Sequence, residues 1–232
     1  MNGKKKIFFQ TSNLVFLQNS FHSSQFYTQF LPPKQRTSNI KEITENDLIE
    51  MDEYQKIRKQ VYNHRGKVSS SRRITLGPYA SITFQNYDII WSQIQEMLFI
   101  EKGGKEQIKD EISAYNPLLP NGSNLVCVLM FQIENKQKRM QVLYELGWVE
   151  KTFWIQFEDE KIMARGIDDD QERTTKDGKT SAVHFLSFDF NSLQAEKFKK
   201  SERVSFGSDF PNYSFSSTIP SSTLLLLKED LD

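Results

Sequence analysis

An unbroken apolar run, LVCVLMF, at residues 125–131 sets the strongest limit on how this chain can fold. A strand with one wet face alternates apolar and polar residues. This one does not, so both of its faces must be covered. Residues 87–101 form a helical segment that is apolar around most of its circumference, with Ile90, Ile94, Met97 and Leu98 at the centre of the stripe. A helix of that kind packs on more than one side. In residues 80–85, Ala80, Ile82 and Phe84 face one way while Ser81, Thr83 and Gln85 face the other. That period of two predicts a half-buried strand.

The rest of the body is read from its punctuation. Thr44 and Asp47 have capping-box spacing and Ile43 and Leu48 can staple across the cap, which predicts a helix over about 45–63. A Ser-rich loop flanked by Arg65, Lys67, Arg72 and Arg73 comes next. Gly77-Pro78 breaks residues 73–85 into two strands, and Asn116-Pro117 and Pro120-Asn121-Gly122 mark turns. Lys136 to Leu146 reads as a helix that Gly147 ends. Strands at 153–157 and about 161–167 form a hairpin, and DDDQERTTKDGKT (168–180) is a polar loop of a length that points to function or disorder. A strand at 181–190, a helix near 192–200, a loop around 207–213 and a helix near 220–231 complete the chain. There is no regular βαβ repeat. The expectation is one α+β domain over 40–232, a mainly antiparallel sheet packed against helices.

Residues 1–39 hold Lys4, Lys5, Lys6, Lys34 and Arg36 and no Asp or Glu. They read as a disordered extension or a misplaced start, with organelle targeting as the alternative. Their apolar stretch at Leu14–Leu17 is too short for a secretory core. Removing those five bases from 30 leaves 25 against 30 acids, a net −5 for residues 40–232. An acidic body argues against general affinity for nucleic acid. No apolar run reaches the ~18–20 residues that span a bilayer. The single cysteine, Cys127, can form no internal disulfide, which favours a reducing compartment and a cytoplasmic location.

No complete cofactor or metal motif is present. GKTS at 178–181 lacks the glycine five positions upstream, where Arg173 stands, and precedes a strand instead of a helix. Counted from Asp168, the sixth and twelfth positions of a calcium loop hold Arg173 and Lys179. There is no nucleophile elbow, and Cys127 lies inside an apolar strand. Five candidate site residues remain. His184 shares a strand face with Ala182, Leu186 and Phe188, so it is either a hydrogen-bonded core residue or an acid–base group. Glu96 and Glu101 fall on the apolar helix, where a carboxylate is either paired with a base or raised in pKa. Arg72 and Arg73 are the candidate bases.

The blocks RRITLGP (72–78), IQEML (94–98), AYNPLLPNG (114–122), TSAVHF (180–185) and D-x-P-x-Y at Asp209, Pro211 and Tyr213 resemble, in this order, the bacterial domain-of-unknown-function family 3501. The resemblance covers about 40–232. Members of that family are often encoded beside a rubrerythrin-like protein and an iron–sulfur or heterodisulfide-reductase-like protein. This implies a role near peroxide detoxification or electron transfer, but assigns no catalytic residue. The second position of the last block is often His in the family, and Phe210 stands there in this chain. Two functions are expected on this basis. One is a cytosolic accessory protein with a rubrerythrin-like or iron–sulfur partner. The other is a small enzyme with a carboxylate–arginine–histidine site under a 168–180 lid.

Overall fold

The computed structural model describes residues 42–167 and 173–231. The expectation for residues 1–39 therefore lies outside the described residues, as does the first part of the 168–180 loop. Among the described residues, six α-helices and nine strands run in the order α1 (Met51–Ser71), β1 (Arg73–Leu76), β2 (Ala80–Phe84), α2 (Tyr87–Glu101), α3 (Gly104–Tyr115), β3 (Asn124–Phe131), α4 (Lys136–Glu145), β4 (Phe153–Phe157), β5 (Glu160–Met163), β6 (Arg165–Gly166), β7 (Val183–Asp189), α5 (Ser192–Lys200), β8 (Val204–Phe210), β9 (Tyr213–Thr218) and α6 (Ser221–Lys228). The strands form two antiparallel sheets, ordered β1-β2-β3-β7-β6 and β5-β4-β8-β9. The fold is α+β, as the lack of a βαβ repeat indicated.

The apolar run takes the central place in the larger sheet and is covered on both faces. Leu125, Cys127 and Leu129 join Phe153, Ile155 and Phe206 of the smaller sheet in one core. Val126 and Val128, on the other face, pack with Tyr54 and Val61 of α1 and Ile90, Trp91 and Ile94 of α2. The layers are therefore helices, five-stranded sheet, four-stranded sheet. Strand β2 is buried along its whole length, including Ser81 and Thr83, because α1 and α2 cover the face that alternation would leave wet.

Three local expectations are corrected. The Thr44–Asp47 capping box forms, with Thr44 N donating to Asp47 Oδ2 at 2.8 Å, but it closes only a 3-10 turn over Glu45–Asp47. The helix proper starts at Met51 and runs through the Ser-rich stretch to Ser71. Its end is held from outside, by Thr223 Oγ1 donating to Ser71 O at 2.9 Å. Residues 207–213, expected as a loop, are the inner ends of β8 and β9, with Pro211 at the turn between them. Helix α3, in the polar stretch after Gly103, had no counterpart in the pattern reading.

Candidate functional site

The five residues singled out in the sequence do not converge. Arg72 is buried and pairs bidentately with Asp230, at 2.6 and 3.0 Å, tying the end of α1 to the end of α6. Arg73 is next to it in the chain, but its Nε donates to Thr83 Oγ1 at 3.3 Å. Glu96 is paired with a base as one alternative held, but the base is Arg58 of α1, at 2.5 and 3.0 Å, and Tyr54 Oη also donates to it at 2.8 Å. The Arg58 guanidinium holds the Glu96 carboxyl below the usual range, against the opposing pull of burial. Glu101 is exposed, because Lys102 turns left-handed and ends α2 there; it accepts from Gln107 Nε2 at 3.0 Å. Glu96 belongs to the helix side of the five-stranded sheet, bonded to Tyr54 and Arg58 of α1, whereas His184 packs against Phe131 on the side facing the smaller sheet.

The recognisable sequence blocks are mostly structural. Asn116 clamps Ile43 through both backbone groups, at 2.9 Å each. Tyr213 Oη accepts from Tyr79 N and Ala80 N and donates to Leu76 O at 2.6 Å, stitching the β1–β2 turn to the second sheet. Asp209 accepts from Trp154 Nε1 and from Lys161 Nζ. Burial pushes the Cys127 thiol pKa upward, which makes it inert as a nucleophile.

His184 is the exception. Its Nε2 lies 2.9 Å from Ser181 O, and a carbonyl can only accept, so Nε2 carries the proton. Its Nδ1 is then a bare lone pair, 3.8 Å from Glu150 Oε2, and neither atom has a hydrogen-bond partner among the described residues. The His184 side chain is 1% exposed and that of Glu150 13%. Burial lowers the imidazole pKa to about 4, and the Arg173 charge acts in the same direction while the Ser181 carbonyl opposes it. The neutral imidazole therefore turns its Nδ1 lone pair toward a carboxyl oxygen of Glu150. Glu150 has no signal in the sequence. It sits on a short 3-10 turn, Val149–Thr152, where no helical or strand period marks it.

The cover over this pair is built from the end of α4, that 3-10 turn and the loop 173–181. The loop closes as a small hairpin, with a bridge between Thr174 and Thr180, Thr175 N on Lys179 O and Gly178 N on Thr175 O, each at 2.8 Å. It is tied to α4 and its C-terminal turn at three points: Thr180 N to Leu143 O (2.9 Å), Tyr144 Oη to Asp177 Oδ2 (2.7 Å) and Trp148 N to Thr174 Oγ1 (2.9 Å). Gly147 permits this contact, since a Cβ there would meet Gly178 O at 2.6 Å. Trp148 comes next with φ +62°, a left-handed backbone that costs a non-glycine residue about 1 kcal/mol or more. Trp148 is 52% exposed, and Met140 and Tyr144, one turn apart on α4, are 46% and 45% exposed. The turn and the loop carry Lys151, Lys176 and Lys179, while Lys136 and Lys138 stand at the opposite end of α4, Lys138 over the Tyr79 ring. Of the acids on these elements, Asp177 is engaged by Tyr144, Glu145 by Gln141, and Glu150 is mostly buried. Exposed Met, Tyr and Trp side chains thus occur on elements that also carry several lysines, in a body that is acidic over residues 40–232. Sequence reading missed this because Met140, Tyr144 and Trp148 look like ordinary members of a helix stripe until their exposure is known.

A family described as Protein of unknown function (DUF3501) matches residues 42–231. No curated protein matches the chain. A solved structure described as a novel protein of unknown function from Burkholderia pseudomallei K96243 is 33% identical, with a TM-score of 0.76, over 82% of this chain and 99% of that one.

Proposed function

The chain belongs to the family of unknown function DUF3501, and from its own surface we propose that it is an accessory binding protein that docks an acidic protein partner. The observation that carries this reading is the Met140–Tyr144–Trp148 face, with Trp148 held exposed in a left-handed backbone. Aromatic residues and Met are the groups that binding surfaces concentrate at their centres, and the lysines on the same elements favour a negatively charged surface. The partner we put forward is the rubrerythrin-like or iron–sulfur protein implied by the gene context of the family, met in the cytoplasm. Two of the candidate charges support a binding role over turnover, since Arg72 and Glu96 are committed to Asp230 and Arg58. The test is a titration of the full chain against the rubrerythrin-like protein. Trp148→Ala should weaken binding at least tenfold, and added salt should weaken it further. No binding, or equal binding by Trp148→Ala, would overturn the proposal.

A second reading rests on one observation, the bare His184 Nδ1 and Glu150 Oε2. With Arg173 nearby, they are a carboxylate–arginine–histidine group, though not the one the sequence suggested. It becomes an enzyme site only if the 173–181 hairpin lifts. Diethyl pyrocarbonate separates the two readings: rapid acylation of His184 favours the enzyme, and protection while His64 reacts favours the binding protein.

A further inference from the structure

The two sheets approach each other at β1 and β9. There they leave an open groove of about 300 Å³, lined by Ser70, Arg73, Thr75, Ser217, Thr218 and Pro220 among others. Its chemistry is one-sided: a guanidinium, four hydroxyls and no carboxylate. Arg73 arrives here because Arg72 turns inward to Asp230 and its neighbour, opening β1, turns the other way. The Arg73 Nε is held by Thr83 Oγ1 on the paired strand, which fixes the plane of the guanidinium. Its Nη1 and Nη2 have no hydrogen-bond or ion-pair partner among the described residues. Elsewhere in the described chain the guanidinium groups of Arg58, Arg72 and Arg165 each meet a carboxylate. Pro220 is the N-cap of α6, and no side chain caps that helix. Its first amides and the positive end of its dipole therefore stand at the edge of the groove. The carbonyl of Ser71 at the end of α1, which would repel an anion nearby, is already occupied by Thr223.

We propose that this groove binds a phosphoryl group, free or as the head of a small phosphomonoester. A guanidinium anchored at Nε presents its two Nη donors as a fork, which matches two oxygens of a phosphoryl group. Hydroxyls from both strands complete a shell of neutral donors. The volume stands at the lower end of the range for small-molecule sites, about 300–1,000 Å³, so the ligand is fragment-sized. The groove is separate from the Trp148 face and stands whether or not that face docks a partner.

The test is isothermal titration calorimetry of the full chain with inorganic phosphate and, separately, with glycerol phosphate. Saturable one-site binding of either is expected, lowered at least tenfold by Arg73→Gln and severalfold by Arg73→Lys, which keeps the charge but not the fork. Arg165→Gln, which alters an exposed arginine elsewhere, should leave it unchanged. Tighter binding of the ester assigns the groove to an organic phosphate, and equal binding assigns it to free phosphate. Should Arg73→Gln fail to fold, Thr75→Ala combined with Thr218→Ala removes two outward hydroxyls and should weaken binding severalfold. Absence of saturable binding by either probe, or affinity that survives these substitutions, overturns the proposal.

Discussion

Among single residues, His184 carries the clearest consequence. Its imidazole is neutral in the folded protein, with a pKa of about 4 against 6.5 for the free side chain. Between those values the unfolded chain binds the proton and the folded chain does not. Stability from this residue is therefore complete above about pH 6.5 and is lost as the pH falls through about 4. The full effect of the shift is about 3 kcal/mol. His184→Gln keeps a donor for Ser181 O but cannot titrate. Urea midpoints should then fall less steeply from pH 7 to pH 4 in the variant than in the parent; parallel curves would show that His184 does not contribute. The pair Arg72–Asp230 gives a second prediction. Arg72→Met takes the bidentate partner away from a largely buried carboxylate and should cost about 3 kcal/mol. Arg72→Met with Asp230→Leu should recover much of that loss, which urea unfolding measures directly. At this scale the sequence revealed which residues were unusual but not whom they meet. Glu96 needed a base, and Arg58 lies 38 positions away on another helix. Glu150 meets His184 only after two sheets have closed.

Among the elements, strong periods were legible and weak ones were not. The 87–101 helix and the 125–131 strand fall within a residue of their expected bounds, because a long apolar pattern has few other solutions. Helix α1 buries only Tyr54 and Val61, so its last turns, Val68 to Ser71, lacked a stripe to reveal them. Those turns persist because α6 holds them, Thr223 through the carbonyl of Ser71 and Asp230 through the side chain of Arg72. Strand β8 was hidden by Gly207, which reads as a loop residue and is in fact required because the Trp154 ring occupies the space of a side chain. The hairpin 173–181 depends on Gly147 in the same way. Gly147→Ala puts a Cβ against Gly178 O and should push the hairpin off α4. Proteolysis near Lys176 and Lys179 should accelerate several-fold while the melting temperature changes little. Unchanged cleavage would mean the contact does not hold the hairpin.

Across the whole molecule, the layered order of helices, central sheet and outer sheet explains both the inert interior and the position of the two proposed sites. Apolar strands demanded cover on both faces, and that demand was visible in the sequence. The surfaces that remain once the cover is in place were not visible there. The Trp148 face is the far end of α4 with its hairpin, and the Arg73 groove is the gap where the sheets meet at their edges. No helix among the described residues is long and apolar enough to cross a membrane. Deuterium exchange of the full chain, with and without the rubrerythrin-like protein, decides whether the Trp148 face is the docking surface. Exchange should slow in residues 140–151 and 173–181, and Trp148→Ala should abolish the effect. Protection confined to other segments, or none at saturating partner, would mean that this face docks no such protein.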